Sequence, residues 1–112
     1  MENTKKITNG KQKGKRGELE LSKIFREHGY NARRSVQYNG KAENAKCDVV
    51  GVDGFHIECK RVERINVSKA MEQALRDKEG DDIPIVCHRK SKENWLVTMQ
   101  LEDFFKILEH NE

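Results

Sequence analysis

Three side chains with chemical potential share one short segment. Phe55, His56, Ile57, Glu58, Cys59 and Lys60 alternate in a way that suits a strand. Alternation puts Phe55, Ile57 and Cys59 on one face and His56, Glu58 and Lys60 on the other. The first set packs. The second sets a carboxylate beside an ammonium on a strand that reads as central, where charge without a purpose is costly. Asp48, ten residues before Glu58, adds a second carboxylate from the neighbouring strand. Two converging carboxylates are the hard oxygen ligands that Mg²⁺ takes, together with water, a backbone carbonyl and phosphate oxygens. Such an ion can activate a bound water and stabilise charge on a phosphate, and Lys60 can orient that water or balance the developing charge. A structural Asp/Glu/Lys ion-pair cluster would look the same at this level.

Whether Asp48 and Glu58 converge depends on the hairpin around Asp53 and Gly54, the clearest hairpin signal in the chain. A two-residue loop pairs Val52 with Phe55 and sends Asp48 and Glu58 to opposite faces. A three-residue loop, Val52 to Gly54, pairs Gly51 with Phe55 and sets Asp48 opposite Glu58. A shared ion requires the second register, with a bulge and Gly54 in the left-handed region.

The elements that position these residues follow from periodicity. A helix is expected from about Lys15 to His28, with Leu21, Ile24, Phe25 and His28 at helical spacing and Gly29 as its stop. Glu18 falls on or beside its inner stripe. Tyr30 to Tyr38 reads as extended, closed by a turn at Asn39 and Gly40, and Lys41 to Lys46 as a polar loop. Strands follow at Asp48–Val52 and Phe55–Lys60, then a helix from about Ser68 to Lys78. Ile83–His88 and Trp95–Met99 read as strands, and Trp95 as a core residue. A last helix from Leu101 to about Glu109 is expected to bury Leu101, Phe104, Phe105 and Leu108, with part of that apolar surface left for pairing. The order predicts one α/β domain over residues 14–112, with a central mixed sheet flanked by helices, preceded by a flexible basic arm at 1–13.

The chain has 112 residues, 35% apolar and 37% charged, with a net charge of +3. No stretch is apolar enough for a membrane span, and the polar N-terminal residues do not indicate export. Cys47, Cys59 and Cys87 are odd in number and form no Cys-x-x-Cys pair. That disfavours a zinc site or a disulfide framework and fits a reducing cytoplasm. Cys87 and His88 are neighbours whose side chains leave a strand on opposite faces. Positive charge is clustered: Lys5, Lys6, Lys11, Lys13, Lys15 and Arg16 without an intervening acid, then Arg33 and Arg34, then Lys60, Arg61 and Arg64. Such clusters suit a polyanion, although an N-terminal run of this kind also fits a solvated tail. His56 is taken as a packing or DNA-contacting residue, because residues two apart on a strand lie roughly 7 Å apart.

Asp48 followed by Glu58, Cys59 and Lys60 after an Asp-Gly hairpin resembles the signature of the PD-(D/E)XK nucleases, with Cys47 where the signature has proline. Lys13, Gly14, Lys15, Arg16, Gly17 and Glu18, opening the first helix, resemble the N-terminal motif of archaeal-type Holliday junction resolvases and their phage relatives. Arg33, Arg34 and Ser35 resemble the basic, substrate-facing stretch of that group. Gln73 matches a glutamine often found in the wider superfamily. The resemblance covers roughly residues 13–108 and implies a restriction-endonuclease-like fold. It implies that Asp48, Glu58 and the Cys59 carbonyl hold Mg²⁺, with Mn²⁺ as a substitute. Lys60 would be catalytic, Glu18 would assist the metal directly or through water, and Gln73 would steady Lys60 or the water. Lys13, Lys15, Arg16, Arg33, Arg34, Ser35, Arg61 and Arg64 would contact DNA.

The activity so implied is hydrolysis of phosphodiester bonds in branched DNA, by a homodimer whose two sites match the two equivalent strands of a four-way junction. A phage protein acting in its host's cytoplasm would suit that reading. Two others remain open from sequence: a nuclease of the same fold acting on other replication or repair DNA, and a non-catalytic DNA-binding module.

Overall fold

The computed structural model describes residues 10–35, 37–38, 41–42 and 47–110. The order of elements is α1 (Gly10–Glu27), β1 (Arg33–Arg34), β2 (Gln37–Tyr38), β3 (Lys41–Ala42), β4 (Val49–Val50), β5 (Phe55–Arg61), α2 (Val67–Asp77), β6 (Ile83–Arg89), β7 (Leu96–Thr98) and α3 (Leu101–His110). Five strands form one mixed sheet in the order β1-β4-β5-β6-β7, and β2 pairs with β3 alone. Among the described residues only β5 and β6 run parallel, and α2 makes the crossover between them, as a parallel pair requires. This is the expected α/β architecture.

The sheet has a helix on each face. Leu21 of α1 packs with Ala32, Val49, Val52, Ile57, Cys59, Ile85 and Cys87. On the other face Ala70 and Ala74 of α2 pack against Val86. Both strands that run through the middle, β5 and β6, are therefore buried on two sides, and five successive residues of β6 are buried. The Asn66 side chain caps α2, its Oδ1 accepting the Lys69 N–H at 3.0 Å.

The first helix begins at Gly10, earlier than its apolar periodicity suggests. Gly17 lies inside it because the helix crosses β5 closely there: a Cβ at Gly17 would stand 2.9 Å from the Arg61 Cβ. Of the expected arm at 1–13, residues 1–9 lie outside the described residues, as do the turn at 39–40 and the loop at 43–46.

The hairpin has the register that the chemistry demands, reached by a different bend. Val49 faces Ile57, and Gly54 has φ +88°. The turn itself closes tightly, with Phe55 N–H donating to the Val52 carbonyl at 3.2 Å. Such a turn would by itself set Val50 against Ile57. One residue has been absorbed between Val49 and Val52, and Gly51, at φ +98°, absorbs it. The bulge thus precedes the turn instead of forming part of it.

Gly51 is also pressed against Asn31, and a Cβ there would fall 2.0 Å from the Asn31 carbonyl oxygen. Left-handed backbone and lack of space act together. Gly51→Ala is expected to destabilise the fold by about 3 kcal/mol or more, read as a lower urea midpoint with an unchanged slope.

The apolar face of α3 corrects the sequence expectation. Leu101 is 65% exposed, Phe104 46%, Phe105 50% and Leu108 48%, and the buried residue of the helix is Asp103. Periodicity located an apolar stripe but not the direction in which it faces. Trp95 does pack against the core cluster, and its ring also receives the Arg89 guanidinium at 5.6 Å.

Candidate active site

Beyond Val49 the β4 ladder stops being regular. Asp48 N–H donates to the carbonyl of Ile57 (2.9 Å), the residue that already faces Val49. The Asp48 carboxylate takes the Cys59 N–H at 2.8 Å, where a continued strand would offer a backbone carbonyl. The Asp48 carbonyl accepts from Ser35 N–H at 2.9 Å, which ties the end of β1 to the same point. Asp48 is therefore fixed by backbone on both sides.

Glu58 is 1% exposed and His56 3%. The His56 Nε2 lies 2.6 Å from Glu58 Oε2. The other oxygen, Oε1, is buried without a hydrogen-bond partner. Asp48 lies close enough for its proton, when it carries one, to bond Glu58. Burial pushes the Asp48 carboxyl up to about 7, and the charges of Glu58 and Glu18 add to the rise, while the Cys59 N–H opposes it. The pair thus lacks one positive partner, which either a proton or a cation supplies.

Around it lies a hollow of about 300 Å³ lined by Gly14, Glu18, Asp48, Cys59, Lys60, Arg61, Val62 and Gln73. Lys60 Nζ donates to Gln73 Oε1 across a long 3.4 Å. Glu18 is engaged by Arg34, whose Nε stands 2.7 Å from its Oε1. A second hollow of about 320 Å³ adjoins it, sharing Lys60, Val62 and Gln73 and adding Arg64, Ile65, Asn66, Lys69 and Ala70.

Five of the catalytic and metal-binding candidates are thereby gathered: Glu18, Asp48, Cys59, Lys60 and Gln73 line one cavity, with Glu58 buried beside it. Among the basic residues, Arg61 lines the first hollow and Arg64 the second. Lys15, Arg16 and Arg33 are exposed on and beside α1, and Lys13 falls among residues whose side chains are not described. Arg34 serves Glu18, so its first duty is inside the site. Ser35 joins through its backbone.

For His56 the sequence reading left packing and DNA contact open. It is buried, so it does not meet DNA, and it does more than pack. The 7 Å between residues two apart on a strand is a backbone spacing, and both side chains lean along the strand far enough to close it. Alternation had already put His56 and Glu58 on one face, which was the available signal. The Arg34–Glu18 pair was also missed, since it links residues sixteen apart on elements whose packing no local pattern reveals.

A divalent cation fits this chemistry. Among the described residues no three Asp, Glu, His or Cys side chains form a ready metal cage. Mg²⁺ commonly needs none, taking one or two carboxylates and completing its shell with water and substrate phosphate. The orphaned Glu58 Oε1 and the unfavourably negative Asp48 are the donors such an ion would use. The three cysteines are free thiols, all buried. Burial raises the Cys47, Cys59 and Cys87 thiols.

Compared with known protein families, residues 9–112 match the model of a family described as "Phage putative PDDEXK endonuclease". No curated protein and no solved structure matches the chain. Among the described residues, no helix is long and apolar enough to cross a membrane.

Proposed function

Since the chain belongs to this phage family of PD-(D/E)XK endonucleases, we propose that it is a divalent-metal-dependent DNA endonuclease of the Holliday junction resolvase type, acting as a homodimer on branched DNA. The observation that carries the metal-dependent part is the buried Glu58 Oε1 without a partner beside the Asp48 carboxyl. Asp48 and Glu58 would hold Mg²⁺ or Mn²⁺, with the Cys59 carbonyl and, through water, Glu18 in support. The ion, when bound, lowers the pKa of a coordinated water and stabilises charge on the scissile phosphate.

The remaining work falls to side chains. Lys60 reaches the hollow from the end of β5 and positions the attacking water or meets the phosphate oxygens. Gln73 limits the range of Lys60 by accepting from its ammonium. Arg34 holds Glu18 in the cavity wall. Arg61, Arg64 and Lys69 line the two adjoining hollows, a suitable path for consecutive phosphates. Lys13, Lys15, Arg16 and Arg33 would extend that path along the start of α1 and β1, with Ser35 at its edge.

The dimer is supported by the outward apolar face of α3, and a two-fold assembly suits a substrate with two equivalent strands. The test is a panel of labelled four-way junction, fork, duplex and single strand, each with Mg²⁺ or with EDTA. Paired symmetric nicks confined to the junction support resolution. Metal-dependent cleavage spread over forks or duplexes favours a repair or replication nuclease instead. Binding that ignores Mg²⁺, without cleavage, would leave a DNA-binding module. Lys60→Ala is expected to lower the cleavage rate on the order of 10²-fold or more with little change in DNA affinity, measured by single-turnover kinetics and gel shift.

A further inference from the structure

The histidine beside Glu58 has a task that the nuclease signature does not contain. A carboxylate on a flexible side chain turns easily about its last torsion, so a lone glutamate offers an ion either oxygen or both. Here the rotation is restrained. A carboxylate that ligates a cation is ionised and only accepts hydrogen bonds, so in that state the hydrogen in the 2.6 Å contact belongs to His56 Nε2. Oε2 is then occupied and Oε1 is the oxygen left over.

The surroundings make this donor hard to replace. On the parallel strand β6, Pro84 stands beside His56 and Val86 beside Glu58. The helix over that face packs Ala70 and Ala74 onto Val86, with Ile65 and Met71 around them. None of these side chains can donate. A buried polar pair in so apolar an enclosure is costly unless its geometry is used.

We propose that His56 is a positioning residue, which pins Glu58 Oε2 so that Oε1 alone is presented to the divalent cation. This rests on the metal-site reading above. It needs only the Nε2 hydrogen and holds for either charge of the ring. Partners that orient a ligating group typically alter metal affinity by about 10–100-fold when removed.

The test is Mn²⁺ uptake by the full chain, read by calorimetry and by the electron spin resonance signal of free Mn²⁺, without reference to cleavage. His56→Phe keeps the shape and removes the donor, and should weaken binding about 10–100-fold. His56→Gln places an amide nitrogen near the position of Nε2 and should bind within about threefold of the original. His56→Asn, whose amide reaches only as far as Nδ1, should resemble His56→Phe. Equal affinity of the Gln and Asn variants overturns the proposal, and so does a folded Phe variant with undiminished affinity. If His56→Phe does not fold by circular dichroism, the Gln and Asn pair decides, because both bury an amide. Unsubstituted protein that takes up no Mn²⁺ overturns the metal-site reading, and the positioning role with it. Uptake that ignores His56 overturns the positioning role alone.

Discussion

Asp48→Asn should abolish cleavage and, in the same preparation, raise the melting temperature of the metal-free protein at pH 8. The two effects have one cause. Asp48 is half-buried beside Glu58 and Glu18, and desolvation with their charges pushes its carboxyl up to about 7. The folded state therefore retains a proton that the unfolded chain, with an ordinary aspartate near 3.8, gives up. Where the native state binds more protons, stability falls as pH rises. The contribution of Asp48 is greatest below about pH 4 and is lost between there and about pH 7. Above that range the ionised pair is a standing penalty. Asparagine removes the charge, can still accept the Cys59 N–H, and can turn its amide toward Glu58. A gain of about 1–3 kcal/mol at pH 8 is expected, or a shift of roughly 5–15 °C. The loss of cleavage should be on the order of 10³-fold, equivalent to about 4 kcal/mol of transition-state stabilisation. Differential scanning calorimetry in EDTA and single-turnover cleavage measure the two arms. A variant that melts lower than the original protein would remove the claim that Asp48 is held at a cost for function.

The same reasoning gives a pH experiment without mutation. In EDTA the protein should melt at a higher temperature at pH 5.5 than at pH 8, as far as Asp48 governs the difference. Mg²⁺ should recover stability at pH 8 and do little at pH 5.5, because there the proton already occupies the place of the cation. Ion and proton compete for one deficit, so Mg²⁺ affinity should rise with pH across the same interval.

What could be read from sequence, and what could not, divides by the range of the interactions concerned. Alternation along Phe55–Lys60 identified the central strand and the two faces of its side chains, because a period of two is a local property. The demand that Asp48 and Glu58 share an ion selected the right register, since a slip of one residue would send them to opposite faces. The place of the bulge was not legible. Gly51 takes it because the Asn31 carbonyl crowds that point, and Asn31 lies twenty residues away. The Arg34–Glu18 pair and the apolar enclosure of His56 depend likewise on packing between distant elements. Glu18 and Lys60 were reachable from helical and strand phase, and Gln73 through the family resemblance, and the three line one cavity. The outward turn of α3 was anticipated only in part, for a further reason. A stripe at positions i, i+3, i+4 and i+7 reads the same whether it meets its own chain or another.

That stripe makes the second large prediction: Phe104→Asp with Phe105→Asp should convert the proposed dimer into a monomer. Leu101, Phe104, Phe105 and Leu108 form one exposed face of α3, while Leu96 and Val97, also exposed, leave the edge strand β7 on opposite faces. The four α3 side chains, about half exposed, present on the order of 400 Å² of apolar surface, within the range of a patch that is often functional. Covered twice by a two-fold axis, the same surface gives about 800 Å², so polar surface around the stripe must supply the rest of the roughly 1,200 Å² that a specific interface buries. A second copy is the occupant that symmetry favours, because a stripe along one helix can meet itself in antiparallel fashion, each Phe104 and Phe105 facing apolar residues of the other chain. Aromatic residues at the centre of such an interface commonly contribute about 2–4 kcal/mol each. Two buried aspartates in their place should weaken association by more than about 10³-fold, seen in sedimentation equilibrium as a monomer at micromolar concentration. The fold should survive, since these side chains already face solvent in the single chain. If junctions are cut by two sites acting together, the monomer should still nick but lose the coupling between the two nicks, leaving singly cut junctions. Unchanged sedimentation of the double variant as a dimer would place the interface elsewhere, and a monomeric original protein would remove the two-fold reading altogether.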